Sequence, residues 1–186
     1  MKAFDAIFTR RSIRKYTPEP VPEELVTEIL KAAMAAPSAG NEQAWQFVVI
    51  RDRALLDAIP KFHPYAAMLK YASVAVLVCG DLSREKFKGF WVQDCSAATQ
   101  NILLAATARG LGAVWTALHP LEDRVAGMRK LLGLPEQIIP LALVPLGYPD
   151  EHPGRADRFD AAKVHHDKWQ VPTHDDSGGL PPGKTG

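Results

Sequence analysis

The chain has 186 residues, of which 47% are hydrophobic and 23% are charged, the composition of a globular protein that can form a full hydrophobic core. Its 22 Lys and Arg against 21 Asp and Glu leave a net charge of +1, which argues against a broad basic surface for nucleic acid or acidic membranes. Its two cysteines supply neither a disulfide framework nor a metal cluster. No apolar run approaches the length of a membrane helix, which is about 20 residues, so we expect a cytoplasmic protein.

The spacing of apolar residues and the positions of Pro and Gly predict alternating helices and strands. In chain order these are a helix over 21–37, a strand over 45–50, a helix over 53–60, a strand over 72–80, a helix over 89–110, a strand over 113–118, a helix over 123–133 and a strand over 137–149. This alternation predicts a layered core in a single domain over residues 1–169. Residues 170–186 are expected to be a polar tail without a core of its own.

A cluster of cations lies in the stretch TRRSIRKYTPEP, near the N-terminus. Arg10, Arg11, Arg14 and Lys15 fall within six residues and are interrupted by Ser12. Such a cluster is often a solvated basic face. Guanidinium groups also bind pairs of phosphate oxygens, and a serine hydroxyl adds a donor without adding charge. The spacing alone is compatible with both interpretations.

The predicted connection over 37–43, with the sequence PSAGNEQ, consists mainly of residues that form turns. Small residues also let a backbone approach a flat ligand closely. The carboxamides of Asn41 and Gln43 can donate and accept hydrogen bonds at ring heteroatoms. The connection is therefore either a simple turn or part of a site for a planar ring.

The chain contains an ordered set of stretches that resembles the short members of the FMN-dependent nitroreductase family. The set consists of the cation cluster, the 37–43 connection, the later NILLAATARGLGAVWTA and the LGYP that ends the last strand. The resemblance extends over residues 4–169 and implies an α+β fold, a three-layer α/β sandwich in which helices flank a central mixed β-sheet. It also implies a homodimer with FMN at the interface, in which an extended C-terminal segment of each chain crosses to the partner subunit.

The resemblance further implies which residues bind FMN. Arg10, Arg11 and Ser12 are expected at the phosphate, and Arg14 near N1 and O2 of the flavin, where a cation favours the anionic reduced ring. The other expected contacts are Pro37, Ser38, Ala39, Asn41 and Gln43 from the partner subunit, and Ala113, Trp115, Thr116 and Gly147 beside the ring. Trp115 fits a place in the core equally well.

The segment after the last strand contains two further candidates for the phosphate. In this family an arginine that follows the GYP strand reaches the phosphate, and the spacing from Trp169 favours Arg158 over Arg155. His165 and His166 resemble a metal or acid–base pair, but adjacent side chains of an extended segment face opposite ways, so we expect exposed structural histidines.

Two other stretches have a less specific meaning. Residues 178–185, GGLPPGKT, match the phosphate-loop pattern but lack the preceding buried strand and the following helix, so we reject nucleotide binding there. The stretch KFHPYAAMLKY is the best candidate to cover the flavin. Its side chains suited to that role are His63, Tyr65, Met68 and Tyr71.

The resemblance implies an FMN-dependent oxidoreductase with a ping-pong mechanism. NADH or NADPH would give a hydride to flavin N5, and a nitroaromatic, quinone or similar small molecule would then take the electrons. Because flavin N5 performs the reaction, no catalytic side chain and no metal are expected. The alternatives are an enzyme of this fold with another chemistry, such as flavin destruction, dehalogenation or dehydrogenation, and a non-enzymatic protein that binds an anion.

Overall fold

The computed structural model of the chain describes residues 1–169. Residues 1–156 form one compact unit, and a second unit begins at Asp157. The helices of the larger unit are α1 (Ala3–Thr9), α2 (Glu23–Met34), α3 (Arg53–Ala58), α4 (Trp91–Ala108) and α5 (Glu122–Leu132). Its strands are β1 (Trp45–Ile50), β2 (Val74–Asp81), β3 (Gly112–Ala113), β4 (Thr116–Ala117) and β5 (Ile138–Gly147).

The strands form one sheet in the order β1–β2–β5–β3, and β4 also pairs with β5. These ladders are antiparallel, and a parallel bridge between Ser12 and Ala113 joins the N-terminal segment to the sheet. Every residue of β2 is buried, because paired strands flank it and helices cover both faces. The sheet is therefore the middle layer of the fold.

Successive residues of β2 belong to two separate hydrophobic cores, one on each face of the sheet. Val76 and Val78 belong to the core that contains α2 and α4. Ala75 and Leu77 belong to the core that contains side chains of α3 and α5. The structure thus has three layers, which confirms the predicted α+β sandwich, and helix α4 contributes many side chains to one of the two cores.

Two elements differ from the sequence-based prediction. Helix α1 was not predicted, because its large apolar side chains, such as Phe4 and Phe8, are exposed and provide no stripe that faces the core of this chain. The strand predicted over 113–118 is instead two short strands, β3 and β4, interrupted at Val114 and Trp115. Both strands pair with β5 in the same register, so the pairing is interrupted at these two residues without a β-bulge.

In the second unit, the structure describes a 3₁₀ turn at Ala161–Lys163 that is capped by Asp160, whose carboxylate accepts a hydrogen bond from Ala162 N. His165 stacks on Trp169 with 4.1 Å between ring centroids, which gives this histidine a packing role. The phosphate-loop match at 178–185 lies outside the described residues, and the predicted domain boundary stays a prediction. None of the described helices is long and apolar enough to cross a membrane.

Candidate functional site

The N-terminal cation cluster lies in an extended segment that runs beside the ends of β3 and β5. Ile13 N donates to Ala113 O at 3.0 Å, and Thr17 N donates to Tyr148 O at 2.9 Å. Tyr16 forms an antiparallel bridge with Pro149. These backbone contacts place the RRSIR stretch next to the GAVWT stretch, two regions about 100 residues apart in sequence.

Two glycines allow this close approach. A Cβ at Gly112 would lie 2.6 Å from Cγ2 of Ile13, and a Cβ at Gly147 would lie 2.8 Å from Cδ1 of Tyr16. Tyr16 also donates its hydroxyl proton to Ile13 O at 2.6 Å, and its burial raises the pKa of the phenol. Gly147, predicted beside the flavin, therefore has a clear packing function beneath the Tyr16 ring.

Alternation along the extended segment separates its arginines. Ile13 is buried, whereas Ser12 and Arg14 on either side of it are exposed. The Arg11 guanidinium donates to Gly154 O, and the side chain lines a 230 Å³ cleft with Ile13. Arg10 caps the C-terminal end of α1 and is half-buried. The structure thus places Arg11 and Arg14 in different clefts.

The cleft that contains Arg14 has a volume of about 450 Å³, and we call it the arginine cleft. It brings together three predicted flavin contacts, Arg14, Trp115 and Thr116, and three of the four side chains that were expected to cover the flavin. Its lining residues are Arg14, His63, Pro64, Tyr65, Ala67, Met68, Val114, Trp115, Thr116, Ala117 and Arg124. Tyr71 does not line this cleft, and Ala113 is buried behind it in the core.

Arg124 is a second cation in the arginine cleft. Its Nη1 donates to Ala117 O at 2.9 Å, and its guanidinium lies 5.3 Å from the centroid of the Tyr65 ring. The adjacent His63 is fully buried, and neither ring nitrogen has a hydrogen-bond partner among the described residues. Burial, followed by the charge of Arg124, lowers the pKa of His63 to about 4. The imidazole is therefore neutral at physiological pH.

The backbone around Arg14 is fixed by an acidic side chain. Oε1 of Glu151 accepts hydrogen bonds from Arg14 N at 2.5 Å and from Lys15 N at 3.2 Å. The bond from the Arg14 amide is the largest cause of the lowered pKa of Glu151. Neither Glu151 nor Arg124 was predicted from the sequence, because neither belongs to a motif and each becomes relevant only through the packing of distant segments.

The 37–43 connection contains a 3₁₀ turn at Ala39–Asn41. Within the connection, Gly40, Asn41 and Gln43 have φ values of 50°, 55° and 49°. Gln43 N donates to Ser38 Oγ at 3.1 Å, and Gln43 Nε2 donates to Asn41 Oδ1 at 3.0 Å. The two predicted carboxamides are thus held together on one exposed turn. The turn, including Pro37, is not among the residues that line the arginine cleft of the same chain.

The two C-terminal arginine candidates differ in position. Arg155 is in the larger unit, with its guanidinium 4.8 Å from the centroid of the Phe8 ring. Arg158 is in the second unit, where it is exposed. The choice between them as a phosphate ligand stays a prediction.

Comparison with known proteins agrees with this architecture. A model of the nitroreductase family matches residues 7–73 and 63–148. A protein of Methanothermobacter thermautotrophicus, provisionally named an NADH dehydrogenase/NAD(P)H nitroreductase, is 58% identical over 169 residues, which cover 91% of this chain and 88% of that protein. A solved structure from Parabacteroides distasonis with the same provisional name has a TM-score of 0.87 at 41% identity and covers 90% of this chain and 98% of that chain.

A further solved structure was determined with its ligand. It is a provisionally named nitroreductase of Desulfovibrio desulfuricans in complex with FMN, with a TM-score of 0.79 and 32% identity over 91% of this chain and 99% of that chain. The three-layer fold, with the cation cluster beside the GAVWT stretch, is thus that of a nitroreductase-type flavoprotein. The chain belongs to the nitroreductase family.

Proposed function

We propose that this protein is an FMN-dependent oxidoreductase that oxidises NADH or NADPH and reduces a nitroaromatic, a quinone or a similar small acceptor. The observation that supports this most strongly is the arginine cleft, where Arg14 lies with Trp115 and Thr116 although these residues are far apart in sequence. When bound, FMN supplies the redox chemistry by accepting a hydride equivalent and passing on electrons.

The residues of the arginine cleft fit a flavin. Its volume of about 450 Å³ is in the range of small-ligand sites, which combine apolar walls with a few polar groups. Trp115 offers an aromatic surface and Thr116 lies beside it, while Arg14 supplies a fixed positive charge. A cation held near the pyrimidine edge stabilises negative charge on that part of the ring. Arg14 would therefore tune the cofactor rather than merely anchor it.

The phosphate would be held by Arg10 and Ser12, together with Arg158 or Arg155. Ser12 and Arg14 are exposed on either side of the buried Ile13, and alternation in an extended segment puts them on the same side, whereas Arg11 lines the other cleft. We therefore assign Arg11 a smaller part in phosphate binding than the resemblance implies.

The exposed apolar surface of α1 supports the homodimer. Phe4 is 73% exposed and stacks on Phe8 with 6.1 Å between ring centroids. Next to these rings, a groove of about 360 Å³ lies between α1, α2 and α4. Contiguous exposed apolar surface of this kind marks an interaction site. We propose that a second copy of the chain covers it and contributes its 37–43 turn to the flavin of this subunit.

The experiment that tests the proposed function is reconstitution. The full chain is mixed with FMN, passed through a gel-filtration column and then assayed for oxidation of NADH and NADPH. We expect a yellow protein that elutes at the size of a dimer and oxidises at least one of the two nucleotides. A protein that leaves the column colourless and oxidises neither nucleotide would overturn the proposal, whereas a yellow protein without nucleotide oxidation would favour another flavin chemistry.

A further inference from the structure

Two buried carboxyl groups, Glu42 and Asp94, lie beneath the 37–43 turn, outside the arginine cleft. Glu42 follows the 3₁₀ turn directly and is 5% exposed, while Asp94 is in the first turn of α4 and is 4% exposed. Neither belongs to an ion pair among the described residues. Placing two ionised carboxylates in such a site without a cation would be costly.

Each carboxyl group uses one oxygen to hold a backbone segment. Asp94 Oδ1 accepts a hydrogen bond from Ala39 N at 3.0 Å. Glu42 Oε2 accepts hydrogen bonds from Lys86 N at 2.6 Å and from Phe87 N at 3.0 Å. The second oxygens, Asp94 Oδ2 and Glu42 Oε1, are buried and accept no hydrogen bond from a donor in the described part of the chain.

We propose that Glu42 and Asp94 share one proton in a hydrogen bond between a carboxylic acid and a carboxylate, which we call the acid clamp. Protonated Asp94 donates from Oδ2 to Oε1 of ionised Glu42, so that one proton satisfies both remaining oxygens and removes one of two like charges. The acid clamp thereby joins the 37–43 turn, the start of α4 and residues 86–87. Glu42 and Asp94 act as positioning residues for the turn.

The electrostatic surroundings agree with this distribution of charge. Burial raises the pKa of Asp94, and the Ala39 amide opposes this increase, while the hydrogen bond and charge of Glu42 and the charge of Glu85 add to it. The thiol of Cys95 also interacts with Asp94, and it stays protonated because burial raises its pKa. The proton is therefore placed on Asp94, and Glu42 is its acceptor.

The acid clamp makes stability depend on pH in a defined direction. The folded chain keeps a proton that the unfolded chain releases near the ordinary pKa of about 4. The contribution of the shared proton to stability therefore falls as the pH rises from that value to the raised pKa of Asp94. The limit for one linked proton is an increase of about tenfold in the unfolding equilibrium constant per pH unit.

The acid clamp also has a consequence for the cofactor, and this part rests on the proposed function. Phe87, whose amide is held by Glu42, packs so tightly on Gly40 that no Cβ would fit there. Phe87 thus supports the 37–43 turn, which we propose contacts the partner's flavin. Loss of the proton would loosen the turn and weaken FMN binding, by at most about tenfold per pH unit.

The test compares the full-length, FMN-loaded protein with the variants Asp94→Asn and Glu42→Gln. In either variant, the amide oxygen can accept the same backbone hydrogen bonds, and the amide nitrogen can donate to the remaining carboxylate, so no shared proton is needed. We expect the wild type to show the infrared band of a protonated carboxylic acid at pH values above the ordinary carboxyl pKa of about 4, and each variant to lack it. In urea unfolding, the stability of the wild type relative to Asp94→Asn should fall as the pH rises, and this comparison cancels the opposite contribution of His63, which both proteins share. Glu85→Gln is the control, because it changes a nearby charge but keeps both members of the acid clamp.

The outcomes separate the acid clamp from the proposed function. Absence of the protonated-carboxyl band in the wild type, together with equal pH dependence of stability in the wild type and Asp94→Asn, would overturn the acid clamp. If the infrared band and the pH dependence of stability are as expected but FMN affinity is independent of pH, the shared proton is confirmed and its proposed effect on FMN binding is wrong. If the protein binds no FMN at any pH, the proposed function fails while the infrared and unfolding results still decide on the acid clamp.

Discussion

Substitution of Gly112 by alanine tests whether the packing of Ile13 on β3 positions the N-terminal segment that we propose to bind FMN. The new Cβ would lie 2.6 Å from Cγ2 and 2.8 Å from Cβ of Ile13. Carbon atoms prefer separations of about 3.5–4.0 Å, so the segment must shift by roughly 1 Å. Ile13 is buried and β-branched, which prevents it from rotating away.

We expect Gly112→Ala to lower the free energy of unfolding by about 1–3 kcal/mol, the usual cost of overpacking. For a chain of this size, the melting temperature should fall by roughly 2–4 °C for each kcal/mol. Ser12 and Arg14 flank Ile13 and move with it. If one charge-assisted hydrogen bond to FMN is lost, worth about 1.5–3 kcal/mol, the Kd for FMN rises by roughly 10- to 150-fold.

Thermal melts and FMN titrations of Gly112→Ala and Gly154→Ala provide the measurement. A Cβ at Gly154 meets nothing within 4 Å, so this control should stay within about 0.5 kcal/mol of the wild type. A Gly112→Ala protein as stable as the wild type would refute the packing argument. A destabilised Gly112→Ala protein with unchanged FMN affinity would refute the link between this packing and the cofactor site.

Three further predictions concern separate parts of the molecule. Arg14→Gln should lower the flavin reduction potential more than it lowers FMN occupancy, whereas Arg10→Gln should lower FMN occupancy more than the potential. Spectroelectrochemistry measures the potential, and FMN titration measures the occupancy. Equal effects of the two substitutions would contradict the assignment. Deletion of the residues from about Asp150 onward, which removes both Arg155 and Arg158, should release FMN and the partner subunit, so a truncated protein that elutes as a yellow dimer would contradict the role of this segment. Because the pKa of His63 is lowered to about 4, stability should decline as the pH falls from about 6.5 towards 4, and His63→Leu should remove this component in urea unfolding.

The fold was predictable from sequence wherever apolar periodicity reflects burial in the same chain. The continuous apolar run VAVLVCGD indicates a strand buried on both faces, and β2 is such a strand. Helix α1 was missed for the opposite reason, since its apolar side chains face away from the core of this chain. The interruption at Val114 and Trp115 was also missed, because a ladder that opens without a register shift leaves no sign in the alternation of residues.

The candidate site was predictable where it coincides with motifs. Arg14, Trp115 and Thr116 belong to stretches that resemble the family, and the structure places them in one cleft. Arg124 and Glu42 could not be found in this way, since a charged residue in a helix or loop is usually a solvated one. Their environments arise only from tertiary packing, which sets Arg124 against Tyr65 and buries Glu42 beneath its own turn.

Anaerobic mixing of the FMN-loaded protein with NADH or NADPH tests the central claim, that this chain is a flavin oxidoreductase, most directly. We predict that one or both nucleotides will bleach the flavin absorbance, and that a nitroaromatic or a quinone added afterwards will restore it with one flavin reoxidised per two-electron equivalent. A flavin that stays oxidised in the presence of both nucleotides would contradict the account.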